Sequence, residues 1–120
     1  MIPHKLVRII FWILLAIILL ISLLPEGDAP TVFADDKLNH ILAFFTLSVM
    51  ARVIWPRAQA QTLFIMLIAF GGGIELLQLL LGFGRDADWM DFGADILATG
   101  LGIAAGAVFN SIFRKRSVAE

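Results

Sequence analysis

Ionisable side chains that could take part in acid–base or binding chemistry occur at helical spacing inside otherwise apolar segments. Lys37 and His40 are three residues apart, and so are Glu75 and Gln78. Residues three or four apart share one face of a helix, so each pair can point toward the same neighbour. A further acidic group follows at spacings of three and four: Asp88, Asp91 and Asp95. Because ionisable residues inside a membrane helix are costly, they are by default candidates for a functional site.

The segments around these residues are long and apolar enough to cross a bilayer. Of the 120 residues, 60% are hydrophobic and only 16% are charged, which excludes an ordinary soluble domain and a disordered chain. A bilayer core of about 30 Å needs about 20 helical residues. Four segments meet this requirement: 6–24, 38–55, 62–81 and 91–113. The sequence therefore predicts one all-α domain over 1–120, a four-transmembrane-helix bundle.

Composition excludes several other classes of protein. The formal net charge is −1, which argues against a nucleic-acid partner. The chain contains no cysteine, so disulfides, thiolate metal sites and cysteine nucleophiles are excluded. The first span follows a basic segment, as in a signal peptide, but PEGDAP after it offers no small-residue cleavage site. We therefore expect this span to be retained.

Basic residues predict the orientation of the four spans. Seven cations fall on one side of such a chain: Lys5, Arg8, Arg52, Arg57, Arg114, Lys115 and Arg116. Cytoplasmic segments carry an excess of Lys and Arg, so both termini are predicted to be cytoplasmic and the acidic side extracytoplasmic.

In this topology the polar residues converge near the extracytoplasmic surface, where the second and fourth spans begin and the third ends. The candidate site comprises nine residues: Asp36, Lys37, His40, Glu75, Gln78, Arg85, Asp88, Asp91 and Asp95. Glu75 is the deepest of them, so it is expected to face the bundle interior and to find a cation or a proton. The first span is expected to contribute nothing, since Ser22 is its only polar interior residue.

Small residues predict close helix packing. They recur every four positions in the fourth span, at Ala94, Ala98, Gly102 and Gly106. Such a pattern lets a neighbouring backbone approach closely. Three glycines at 71–73 predict close contact or a kink just before Glu75, and we favour packing over a hinge. The first span is expected to face lipid, including Leu19.

The order of these motifs resembles the VanZ-like family. The matching residues are Asp36-Lys37-x-x-His40, Glu75-x-x-Gln78, Gly84-Arg85 and Asp91-x-x-x-Asp95 before a glycine-rich helix. The resemblance covers roughly 35–106. It implies a small multi-span protein of the bacterial plasma (inner) membrane, in a family named after a protein linked to low-level teicoplanin resistance. It supplies no reaction. Many members have asparagine at the place of Asp95 and an aromatic hydroxyl where Phe44 and Phe45 stand.

Three functional hypotheses remain open besides a structural one, in which ion pairs only set helix register. The first is binding of an extracytoplasmic envelope component, a lipid-linked precursor or a glycopeptide, with Lys37 and Arg85 holding a phosphate or carboxylate. The second is a small ion- or proton-coupled transporter with a relay through the buried acids. The third is a membrane hydrolase or transferase that uses His40 with a carboxylate. Membrane lipid is the expected environment, and the oligomeric state is not predicted.

No metal or cofactor is predicted. A divalent ion bound by His40, Glu75, Asp91 and Asp95 is an alternative on ligand type, because one imidazole and several carboxylates suit such ions. No H-x-x-x-H or similar spacing supports it.

Overall fold

Four helices form the protein in a computed structural model that describes residues 3–24, 36–81 and 89–119. They are α1 (His4–Ser22), α2 (Asp36–Ile54), α3 (Ala60–Leu81) and α4 (Trp89–Ala119). These ranges contain no strand. All four helices are long and apolar enough to cross a membrane, which confirms the all-α, four-helix prediction. Each helix begins two residues before its predicted span, and in α1 and α2 these residues include charged or polar side chains that a hydropathy criterion leaves out.

Polar groups close the end of the bundle where α2 ends and α3 begins. Pro56 follows α2, and a proline cannot continue the helical hydrogen bonding. The Arg52 guanidinium donates to the carbonyls of Ala58 and Pro56, at 2.5 and 3.0 Å. The Asn110 amide of α4 in turn donates to the Arg52 carbonyl at 3.0 Å. These bonds join α2, the α2–α3 connection and α4.

Aromatic and aliphatic side chains fill the bundle next to this closed end. This hydrophobic core draws on all four helices: Phe11, Leu47, Ala51, Ile54, Leu63, Leu67 and Ile103. The Phe11 ring meets Trp55 edge to face, with 5.2 Å between centroids. The guanidinium of Arg8 lies over the same Trp55 ring, 5.7 Å from its centroid. The start of α1 and the end of α2 therefore lie at the same end of the bundle.

The small-residue stripe of α4 packs against α2. A Cβ atom added at Gly102 would lie 2.5 Å from Ser48 Cβ and 2.7 Å from the Phe45 carbonyl oxygen. One added at Gly106 would lie 2.6 Å from Arg52 Cβ. Since side-chain carbons do not approach this closely, both positions require glycine. The prediction of close packing is confirmed, and the structure identifies α2 as the neighbour.

The glycine run of α3 has one position that packing requires. A Cβ at Gly71 would lie 3.0 Å from Asp95 Oδ2 and 3.2 Å from Phe44 Cζ, whereas one at Gly73 would meet nothing within 4 Å. Helix α3 continues through the run as one element. Close packing therefore accounts for Gly71, as predicted, and the helix does not break at the run.

The outward-facing side chains are apolar on several helices. Leu20, Leu80 and Leu97 are 66%, 71% and 62% exposed. Exposure of many large apolar side chains fits contact with lipid chains. Leu19 departs from its predicted lipid-facing position, because it is half-buried against the cluster of Phe44, Ile74 and Ala98.

Candidate functional site

The polar residues gather at the end of the bundle where α2 and α4 begin and α1 and α3 end, which we call the polar end. His40 lies in the second turn of α2. Asp91 and Asp95 occupy successive turns at the start of α4, on one face. Glu75 lies between one and two turns before the end of α3. Because helices that follow one another in the chain run in opposite directions, residues far apart in sequence reach one level.

A histidine joins the two acids of α4. His40 Nδ1 lies 3.0 Å from Asp95 Oδ1, a hydrogen-bonding distance. His40 Nε2 lies 3.9 Å from Asp91 Oδ2. The His40, Asp91 and Asp95 side chains are only 10%, 9% and 1% exposed. Both ring nitrogens therefore face a carboxylate inside the protein.

Glu75 completes the group from the third helix. It is 1% exposed, so its carboxylate is inside the bundle rather than in lipid, as predicted. One nitrogen of His40 and one oxygen each of Glu75 and Asp95 lie within 4.8 Å of one another. We call His40, Glu75, Asp91 and Asp95 the buried cluster.

Gln78 is held by α1. Its amide donates to the Ser22 carbonyl oxygen at 2.7 Å, across 56 positions of the chain. The Ser22 hydroxyl itself donates to the Ile18 carbonyl at 2.7 Å. The expectation that α1 contributes nothing at this level is therefore wrong, because the last turn of a helix has carbonyls without intrahelical partners. These can accept from a neighbouring helix.

The other predicted site residues are placed only in part. Lys37 lies in the first turn of α2 and is half-buried. Asp36 begins α2, but its side chain lies outside the described part. Arg85 and Asp88 also lie outside the described residues.

Two buried residues beside the cluster are not among the nine predicted site residues. Thr99 lies one turn beyond Asp95 on the same face of α4; it is fully buried, and its hydroxyl makes no hydrogen bond within the described residues. The Asp95 carboxylate lies close to Gly71, where a Cβ atom would be only 3.0 Å from Asp95 Oδ2. The regular four-residue spacing of 91, 95 and 99 was the available signal for Thr99. Nothing in the sequence distinguished Gly71 from the next two glycines.

The charges of the buried cluster favour a positive or hydrogen-bond-donating ligand. Three carboxyl groups surround a single imidazole. In the described part of the chain, Lys37 is the basic residue nearest in sequence to His40, three positions before it. Imidazole and carboxyl groups in contact can also exchange a proton. A strongly polyanionic ligand would face repulsion here.

Comparison of the chain with models of protein families, with curated proteins and with solved structures gives no match. Its function has to be inferred from the residues and their arrangement.

Proposed function

We propose that this chain is a VanZ-like membrane protein that binds an extracytoplasmic envelope component at its polar end and affects glycopeptide (teicoplanin) susceptibility. The observation that carries the proposal is the convergence of His40, Glu75, Asp91 and Asp95 from three helices. These residues belong to the motifs on which the family resemblance rests. Buried polar groups of this number exceed what helix register alone requires.

The orientation supports an extracytoplasmic site. Arg8 and Arg52 lie at the end opposite the buried cluster, the first over Trp55 and the second capping α2. The basic residues near both termini and the α2–α3 connection belong to that same side of a four-span chain. By the positive-inside rule it is cytoplasmic, so the polar end faces outward in the bacterial plasma membrane.

Single-cysteine labelling tests this orientation, because the chain has no cysteine of its own. We expect the Asp28→Cys variant to react with a membrane-impermeant maleimide in whole cells. The Ala58→Cys variant should react only after the membrane is opened. The reverse pattern would contradict the orientation and the outward-facing site.

The ligand is inferred from the mixture of charges. The buried cluster favours an ammonium or a hydrogen-bond donor, and Lys37 with Arg85 would hold a phosphate or carboxylate at the rim. A lipid-linked cell-wall precursor or a glycopeptide carries groups of both kinds. Apolar side chains around the bundle would let a lipid-linked ligand reach the site from the membrane.

Replacement of Glu75 separates a binding site from a scaffold. We expect Glu75→Gln to leave a folded protein at normal abundance while abolishing any change in teicoplanin susceptibility that the wild-type chain confers on its host. Thr46→Val is the matched control, since that hydroxyl donates to its own helix at the Leu42 carbonyl. This variant should keep the wild-type phenotype.

Two outcomes would contradict the proposal. If Glu75→Gln unfolds the protein, the carboxylate is needed as scaffold, because removal of one buried partner strands the other. If Glu75→Gln is folded and confers the wild-type phenotype, the buried cluster does not act in susceptibility. Abundance by immunoblot and elution in detergent distinguish the two.

Ion or proton transport is the second candidate. The observation that favours it is the presence of two buried hydroxyl groups beyond the cluster, those of Thr99 on α4 and Ser48 on α2, both with no exposed surface. These residues lie nearer the middle of the bilayer than Asp95. Under this alternative, Glu75→Gln would abolish ion flux in proteoliposomes.

A further inference from the structure

We propose that His40, Glu75 and Asp95 bind a divalent transition-metal ion of the zinc type. Each residue offers one ligand atom, and the three atoms lie within 4.8 Å of one another. Ions of this kind bind nitrogen and oxygen at about 2.0–2.2 Å, so neighbouring ligands of a tetrahedral site are about 3.4 Å apart. The ligand atoms, at most 4.8 Å apart, would have to approach one another by no more than about 1.4 Å to reach this spacing. The three ligands come from α2, α3 and α4, so the packing of three helices, rather than helical spacing within one of them, brings them together.

Charge balance supports a divalent ion at this depth. Glu75 and Asp95 are each 1% exposed, and buried carboxylates are stable only when their charge is compensated. One divalent cation offsets the charges of the Glu75 and Asp95 carboxylates, the two that would bind it. A bound ion therefore lowers the negative charge of a buried cluster that holds three carboxyl groups.

Asp91 provides an independent indication. A histidine that binds a metal through one ring nitrogen usually donates its other N–H to a carboxylate, which fixes the ring. His40 has a carboxylate beside each nitrogen, with Asp95 Oδ1 at 3.0 Å from Nδ1 and Asp91 Oδ2 at 3.9 Å from Nε2. If the ion binds Nδ1, then Asp91 Oδ2, which lies 3.9 Å from Nε2, could accept from that nitrogen after a shift of about 1 Å. Asp91 is thus a positioning residue outside the ligand set.

The ligand types narrow the choice of ion. A set of one imidazole and two carboxylates suits Zn²⁺ and similar ions, whereas Ca²⁺ and Mg²⁺ prefer oxygen alone. The chain has no cysteine, so a thiolate site for softer ions is excluded. Three protein ligands leave a fourth position for water or a bound molecule. The metal ligands belong to the buried cluster that the proposed function assigns to the envelope component, but metal binding can be measured without that component, so the two proposals can fail separately.

Metal titration of the full-length protein in detergent micelles tests the site. The chelator-treated protein is titrated with Co²⁺, a spectroscopic substitute for Zn²⁺, and then with Zn²⁺ in competition. We expect about one Co²⁺ per chain, with the strong visible absorption of a four-coordinate ion. The chain has two histidines, which offers a matched pair of variants. His40→Gln should weaken binding by at least about 100-fold, and His4→Gln should leave it unchanged.

The Asp91→Asn variant provides a second test, because metal affinity would not change if Asp91 only stabilised the fold. The amide can still face His40, so the fold should persist while metal affinity falls about 10-fold or more. Folding of each variant is followed by circular dichroism and elution in detergent. Wild-type protein that binds no Co²⁺, or only at millimolar concentration, would overturn the proposal. Equal binding by the His40→Gln and His4→Gln variants would do so as well, whatever the susceptibility phenotype.

Discussion

Replacement of Gly102 by leucine is expected to separate α4 from α2 and to lower the free energy of unfolding by about 3 kcal/mol or more. A single Cβ atom at this position would already lie 2.5 Å from Ser48 Cβ and 2.7 Å from the Phe45 carbonyl oxygen. One of these neighbours is main chain, so a rotamer change cannot relieve the contact. The rest of the leucine side chain would have to displace the helix. Unfolding in mixed micelles, followed by the fluorescence of the three tryptophans, measures the change.

The matched control is Gly93→Leu in the same helix. A Cβ at Gly93 would meet nothing within 4 Å, and the residue is exposed. That variant should unfold within about 0.5 kcal/mol of the wild type, as surface substitutions usually do. Equal stability of the two leucine variants would show that the stripe faces lipid.

Removal of the Asp95 carboxylate should also have a large effect. We expect Asp95→Ala to destabilise the protein by about 2 kcal/mol, because the buried His40 ring loses its hydrogen-bond partner at 3.0 Å. Asp95→Asn keeps an acceptor oxygen and should cost no more than about 0.6 kcal/mol, a typical value for hydrogen bonds between membrane helices. Many members of the VanZ-like family, which this sequence resembles, also have asparagine at this position.

A double-mutant cycle isolates the contact. His40→Phe and Asp95→Ala are measured singly and together by unfolding in mixed micelles. Their coupling energy should be about 0.5 kcal/mol or larger, as for residues in direct contact. Additive effects would mean that the two side chains do not interact, and the buried cluster would then lose its link between α2 and α4.

The sequence by itself determined the number and position of the helices. Apolar runs of about 20 residues can satisfy their main-chain hydrogen bonds in lipid only as helices. The spans 6–24, 38–55 and 62–81 agree with α1, α2 and α3 to within two residues at either end. The same physics placed Glu75 in the interior, since an ionisable group facing lipid is costly. Local composition was sufficient for these features because each depends on one helix at a time.

Only the tertiary structure decided which residues meet. Four-residue spacing predicted a close contact for Gly102, but α2 rather than another helix provides it. Its position three residues after Glu75 predicted that Gln78 would join the acidic side chains, whereas in the structure its amide donates to the carbonyl of Ser22 on α1. Partner choice depends on the rotation and height of each helix against its neighbours, which follow from packing over the whole bundle. For the same reason, the contact of His40 with Asp95 became visible only when both helices were in place.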